Sequence, residues 1–227
     1  MSDINNGKNR IGLMGGTFDP VHYGHTGLAI AASRELRLDR VIMIPAFIQP
    51  FKKDKYVTSD EHRLAMLEIA VSEVNTYLNQ DSNSNDVLEI STWEIEKGGI
   101  SYTYDTIIHF KEVYSDSELW FIMGGDSLMK LENWYKGKDL LKVCNFAVGT
   151  RPMDDNSALD STIEKLSKSY GTEIYKVMKP MLNINSTMVR DKLDKNEPIS
   201  GLISPQVESY IYEYKLYGEE STGFEQV

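Results

Sequence analysis

The chain has 227 residues, 41% hydrophobic and 10% aromatic, which is enough material for one α/β domain with a substantial core. Its formal charge of −10 argues against a protein that coats nucleic acid or an anionic membrane, since both select for a basic footprint. No apolar run reaches the roughly 18 residues of a membrane span, the polar start MSDINNGKNR lacks a signal-peptide core, and the lone Cys144 excludes an internal disulfide. A reducing cytoplasm is the expected location, with Cys144 a small buried hydrophobe in VCNFAV.

In chain order, RIGLM (10–14) predicts a first strand, and Leu28, Ala31, Ala32 and Leu36 then recur at helical spacing. RVIMIPA (40–46) is a second strand stopped by Pro45. Residues 59–74 carry Leu64, Leu67, Ile69 and Val71 on a helical pattern with Ser59 as N-cap, and 79–86 form a polar loop. VLEISTWEI (87–95) reads as a strand, 103–114 as a helix, and ELWFIMGG (118–125) as a buried strand running into glycines. CNFAVGT (144–150) and EIYKVM (173–178) are further strands, with the helix-like STIEKLSKSY between them. Ser186–Leu193 reads as helical, and 204–218 as a last helix with Ser204 as N-cap, Pro205 in the first turn and Gly218 past its end. This alternation predicts a Rossmann-like, doubly wound α/β fold: a mostly parallel sheet with helices on both faces. A single domain over 10–218, with flexible ends at 1–9 and 219–227, is expected. Ligands of such sheets bind beyond the carboxyl ends of the strands, which directs attention to 15–25, 46–55, 124–135 and 183–190.

GGTFDPVHYGH (15–25) is the most unusual of these stretches. Gly15 and Gly16 accept close backbone approaches that a side chain blocks. Backbone N–H groups there, and at the helix start near Tyr23, are expected to face an anion. His22 and His25 are three apart and share a face, with Gly24 leaving room between them for a ligand. The stretch has no GKS or GKT of a P-loop and no GxGxxG, and His-x-x-His without a third ligand is weak as a metal site. INSTMVR (184–190) is the second piece. The hydroxyls of Ser186 and Thr187 suit a helix N-cap, and Arg190 shares the face of Ser186. Hydroxyls, a helix N-terminus and a guanidinium fork make a polyphosphate clamp.

Together these two stretches resemble the nucleotidyltransferase superfamily marked by HxGH and ISSTxxR, and within it the bacterial nicotinate-nucleotide adenylyltransferases. MGGDSL followed by NWY, SYTYDT, and TRP after a strand extend the likeness from Ile11 to Tyr217. The resemblance implies transfer of the adenylyl group of ATP to nicotinate mononucleotide, with release of pyrophosphate. Mg²⁺ is carried on the ATP phosphates and no metal is held by the protein. His22 and His25 are implied as catalytic contacts to the phosphates, and Ser186, Thr187 and Arg190 as the clamp on their β/γ end. Gly15, Gly16, Thr17 and Phe18 belong to the loop that meets the phosphates, and Gly124 and Asp126 match positions that hold a ribose. Trp134 matches an aromatic that stacks on nicotinate, the N–H groups of Thr103 and Tyr135 match those that receive its carboxylate, and Lys52 is a phosphate contact. The implied partners are these two nucleotides, with no nucleic acid or membrane, and there is room for a homo-oligomer.

Three positions depart from the family pattern. Asn185 stands at the first Ser of ISST, Phe51 at a frequent His, and Gly125 where Ala or Gln is usual. The alternatives are a phosphopantetheine or cytidylyl transferase of the same superfamily, or a non-catalytic nucleotide sensor. Trp134 and Thr103 favour the pyridine branch, and retention of both histidines and Arg190 favours an enzyme. KLSKS (165–169) resembles the KMSKS signature of class I aminoacyl-tRNA synthetases, but an anticodon-binding domain does not fit in this length, and Lys165 and Lys168 read as a solvated helix face.

Overall fold

The computed structural model describes residues 9–50, 57–80, 88–150 and 156–218. Phe51, Lys52 and, apart from Asn9, both ends expected to be flexible lie outside them. Strand β1 (Arg10–Gly16) leads through helix α1 (Tyr23–Leu36) to β2 (Arg40–Pro45), α2 (Asp60–Asn79) and β3 (Leu88–Ile90). Helices α3 (Trp93–Lys97) and α4 (Thr103–Val113) carry the chain back to β4 (Glu118–Gly124). Then follow α5 (Gly125–Leu128), a 3₁₀ turn (Leu131–Asn133), α6 (Gly137–Val143), β5 (Asn145–Gly149), α7 (Asn156–Tyr170), β6 (Ile174–Lys176), α8 (Ser186–Asp194) and α9 (Pro205–Glu213).

The strands lie in the order β3-β2-β1-β4-β5-β6, and every neighbouring pair is parallel. The chain winds outward from β1 to one edge, returns beside β1 as β4, and winds outward to the other edge. Order reverses between β1 and β4, so the loops leaving their carboxyl ends diverge and open a crevice there.

Side chains of a strand alternate between faces, and both faces are covered. Leu119, Phe121 and Met123 of β4 pack with Ile107 and Phe110 of α4, Leu140 of α6 and Leu159 of α7. Trp120 and Ile122 of the same strand pack with Leu28 of α1, Met66 of α2, Val189 of α8 and Val207 of α9. Gly12 is fixed by this packing, because a Cβ there meets Leu38 at 2.8 Å and Ile122 at 2.9 Å. Cys144 is buried as expected, and burial pushes its thiol up to about 12.

The structure changes three of the sequence readings. The strand expected over 87–95 stops at Ile90, and Trp93–Lys97 is helical. The period-two pattern there loses to tertiary contacts: Trp93 stacks on His109 at 4.3 Å and 9°, and Lys97 pairs with Asp105 at 3.2 Å. Helix α2 continues five residues beyond 74, burying Leu78. The last helix ends at Glu213 rather than near Gly218, because Lys215 and Tyr217 take left-handed conformations, φ 51 and 65, that turn the chain back. Among the described residues no helix is long and apolar enough to cross a membrane.

Candidate active site

His22 is the N-cap of α1, and its Nδ1 accepts from the Gly24 N–H at 3.1 Å. His25 is three residues on, and its Nδ1 accepts from the His22 N–H at 3.3 Å. The two imidazoles thus form a capping box, a task usually given to Ser or Thr with Glu or Gln. The rings stack with centroids 3.7 Å apart. The chemical consequence is a fixed tautomer. With each Nδ1 occupied as an acceptor, the proton of the neutral ring sits on Nε2, so each ring presents an N–H donor.

The same geometry corrects two expectations. The amides at the start of α1 are not offered to a ligand: Tyr23 N–H donates to the Leu202 carbonyl at 3.0 Å and Gly24 N–H to His22. Nor does Gly24 leave space for a ligand, since a Cβ there meets the His22 ring at 2.9 Å and the Ile184 carbonyl at 3.2 Å. Phe18 is 1% exposed, in a left-handed conformation (φ 51), and packs edge-on against His25 with centroids 5.0 Å apart. Its ring backs the histidine, so only its backbone can meet a phosphate. Gly16 is tied to this arrangement, as a Cβ there comes within 3.0 Å of the Phe18 ring.

Helix α8 closes the other side. Asn185, not Ser186, is its N-cap, and its side chain accepts from the Met188 N–H at 2.8 Å. The departure from ISST is chemically conservative, because Asn caps as well as Ser. Asn185→Ser should leave melting and turnover unchanged, whereas Asn185→Ala should cost about 1 kcal/mol of stability. Equal melting of all three proteins would refute the capping role. One residue further, Ser186 Oγ donates to the Pro20 carbonyl at 3.0 Å. Arg190 NH1 donates to the Asp19 carbonyl at 2.5 Å, and NH2 to Thr187 Oγ1 at 3.3 Å. The two sequence motifs therefore meet on residues 19 and 20.

Beyond β4, Gly124 has nothing within 4 Å of an added Cβ, and Asp126 is exposed in the first turn of α5. At Gly125 a Cβ meets only the end of the Leu159 side chain at 3.1 Å, a contact that a flexible group relieves. Trp134 packs half-buried against the α4–α6 core. The Tyr135 and Tyr102 rings lie 4.3 Å apart, tilted by 31°, which brings the turn at 134–135 beside the start of α4 at Thr103. Lys136 Nζ lies 4.5 Å from the Tyr104 ring centroid and 5.4 Å from that of Tyr135, a cation that sequence reading missed.

A hydrogen-bonded ribbon joins the two halves. Ala46 N–H donates to the Gly16 carbonyl, Thr17 Oγ1 to Gln49 Oε1, Ser101 N–H to the Ile48 carbonyl, and Phe47 N–H to Ser101 Oγ. Ser101 and Thr106 in turn hydrogen-bond Glu94, which is 6% exposed. Burial raises the Glu94 carboxyl above the ordinary range, opposed by these hydrogen bonds and by Lys97. The folded state then holds a proton that the unfolded chain has released, so this group's contribution to stability falls as pH rises past the ordinary carboxyl range. Glu94→Gln should therefore gain on wild type in urea unfolding as pH is raised through that window. A difference that stays constant with pH would remove Glu94 from this account.

Two further residues escaped the sequence reading. Arg63, 2% exposed, donates from NH1 to the Thr17 carbonyl at 2.8 Å and from Nε to the Thr58 carbonyl at 3.0 Å. A signal existed: it shares the buried stripe of Met66, Leu67 and Ala70. Tyr217, past α9, donates its hydroxyl to Asp19 Oδ1 at 2.6 Å. KLSKS takes no part in these contacts: it lies on α7, where Lys165 pairs with Glu132 at 2.5 Å and is 61% exposed.

Comparison with known proteins agrees with this assembly. Residues 13–192 match the cytidylyltransferase-like family. The nicotinate-nucleotide adenylyltransferase of Thermoanaerobacter sp. (strain X514) is 40% identical over 212 residues, covering 93% of this chain and 95% of the relative. That of Clostridium botulinum (strain Eklund 17B / Type B) is 36% identical over 211 residues, covering 93% and 99%. The solved Plasmodium falciparum nicotinic acid mononucleotide adenylyltransferase, complexed with NaAD, shares the fold with a TM-score of 0.71 at 22% identity, covering 92% of this chain and 97% of that one. With both motifs meeting at the β1–β4 crevice and relatives matched over nearly their whole length, the chain belongs to the nicotinate-nucleotide adenylyltransferase family.

Proposed function

We propose that the protein transfers the adenylyl group of ATP to nicotinate mononucleotide, forming the deamido dinucleotide and pyrophosphate in the cytoplasm. The observation that carries this reading is the convergence of His22, His25, Ser186 and Arg190 on one turn at the switch point of the sheet.

The attacking atom is a phosphate oxygen of the mononucleotide, largely ionised at neutral pH because its second pKa is about 6. No general base is needed. A bond forms from that oxygen to the α-phosphorus of ATP, the bond to the bridging oxygen breaks, and pyrophosphate leaves with the electron pair. What remains for the protein is alignment and charge stabilisation. The Nε2–H donors of His22 and His25 serve the phosphates lying over Gly15–Phe18. Ser186 through its backbone N–H, Thr187 and Arg190 hold the β/γ end from α8, while Gly124 and Asp126 hold a ribose. Trp134 gives a stacking face, and the amides of Thr103 and Tyr135 receive the ring carboxylate. Lys52 remains assigned to a phosphate, from outside the described residues.

The donor set around the crevice is imidazole N–H, hydroxyl and guanidinium, which suits phosphate. Among the described residues no cluster of three or more His, Cys, Asp or Glu could hold a metal. In this reading Mg²⁺ would be carried by the ATP phosphates, where it would supply charge neutralisation for the leaving pyrophosphate. The test is pyrophosphate release with ATP, with and without Mg²⁺, against nicotinate mononucleotide, nicotinamide mononucleotide, phosphopantetheine and choline phosphate. Turnover should be confined to the pyridine nucleotides and vanish with chelation. Turnover with phosphopantetheine alone would assign the chain to another activity.

A further inference from the structure

Tyr217 belongs to neither motif, yet its hydroxyl ends inside the loop that follows β1. It reaches there because two left-handed residues, Lys215 and Tyr217 itself, turn the chain back after α9. A bulky residue at positive φ is held there by its surroundings. Here those include a bond of 2.6 Å to Asp19 Oδ1, within the range of a strong O–H···O⁻ contact, and a hydrogen bond with Thr58. Burial and the Asp19 carboxylate raise the Tyr217 hydroxyl well above its ordinary pKa, so it stays a donor at any working pH.

Asp19 is 3% exposed, so its carboxylate depends on protein partners. Tyr217 serves one oxygen. The other lies 4.0 Å from Arg190 NH1, at the outer limit of an ion pair, while that nitrogen bonds the Asp19 main-chain carbonyl instead. The same guanidinium is the group assigned to the β/γ-phosphates. Asp19 and the phosphates are thus rival anions for one cation. We propose that Tyr217 is a positioning residue for the ATP half of the site: its hydroxyl satisfies Asp19 and thereby keeps Arg190 directed at phosphate. The role of Arg190 in this proposal rests on the adenylyl-transfer reading.

Loss of the hydroxyl leaves a buried anion short of a donor, and Arg190 need move only about 1 Å to supply one. That movement draws the guanidinium to the floor of the loop. Arg63 is a second cation in the field of Asp19, but it is buried, with Nε and NH1 held by the Thr58 and Thr17 carbonyls, so Arg190 is the more mobile of the two.

The experiment measures ATP affinity by calorimetry alongside KM for each substrate in the full chain. Calorimetry needs no turnover, so an inactive wild type would count against the transfer reading while ATP binding still judges the latch. Tyr217→Phe keeps the ring and should weaken ATP about tenfold while KM for the mononucleotide stays within about twofold. Asp19→Asn keeps an acceptor for Tyr217 but removes the rival charge, so alone it should bind ATP no more weakly than wild type. Combined with Tyr217→Phe it should restore most of the lost affinity. Unchanged ATP affinity in Tyr217→Phe, equal weakening of both substrates, or a double variant worse than Tyr217→Phe overturns the proposal. Should Tyr217→Phe fail to fold, Asp19→Asn decides alone, and a tenfold loss of ATP affinity there overturns it.

Discussion

His22→Ala and His25→Ala should each lower kcat by about 10²-fold or more, the usual cost of removing one donor to a developing phosphoryl charge. Both should also melt lower than wild type. Each ring caps α1 through Nδ1 while presenting Nε2–H, so alanine removes a structural and a chemical function together. The capping share is about 1 kcal/mol, which for a chain of this size lowers Tm by about 2–4 °C. Other substitutions separate the two. His22→Asn retains an acceptor for the Gly24 N–H, and His25→Gln retains one for the His22 N–H, as the capping box allows. Melting should recover in both while kcat stays low. Near wild-type turnover in His22→Asn would show that the ring acts on the helix alone.

The acceptor should be discriminated almost as strongly. Nicotinate mononucleotide should exceed nicotinamide mononucleotide in kcat/KM by about 10²-fold at equal ATP and Mg²⁺. In the proposed site the amides of Thr103 and Tyr135 only donate, so a carboxylate would satisfy both, whereas a carboxamide would turn its NH₂ toward one of them. An unsatisfied buried donor costs about 1–3 kcal/mol, which is a factor of roughly 5–150. Lys136 adds to this. Its ammonium rests on the Tyr104 and Tyr135 rings, so the wall that carries both amides also carries a fixed positive charge. Lys136→Met should narrow the preference by raising KM for the acid and leaving that for the amide alone. Trp134→Ala should damage both substrates, since stacking does not separate acid from amide. Equal kcat/KM for the two nucleotides in wild type would mean that the ring carboxylate is read elsewhere.

Much of this was legible because it is local. RIGLM, RVIMIP and ELWFIMG are apolar runs of strand length, and alternation with helices dictated the layering. The loops after β1 and β4 were found because strand ends in such sheets carry ligands. Contacts between distant segments were hidden. Nothing near Tyr217 announces that a hydroxyl will meet an aspartate 198 residues away. Glu94 sits in a stretch whose alternation imitates a strand, and its burial depends on α4 arriving above it. At Gly137 a Cβ falls 1.9 Å from the Leu131 carbonyl, a clash visible only once the turn after β4 is built. The capping roles of Asn185 and His22 lay between these cases. Asn before a helix is a readable sign, whereas an imidazole in that position is not.

The tie between α8 and the turn after β1 bears on how the molecule is made. Ser186 reaches Pro20 across 166 residues, and Arg190 reaches Asp19 across 171. A ribosome adding 5–20 residues per second needs roughly 10–30 s to traverse that interval. Throughout it the glycine turn and both histidines exist without the hydroxyls and guanidinium that complete the clamp. The growing chain therefore lacks the contacts of Ser186 and Arg190 with the turn after β1 until α8 clears the exit tunnel. On the adenylyl-transfer reading, ATP is then a late reporter of correct assembly, favouring chains in which the last third has closed over the first.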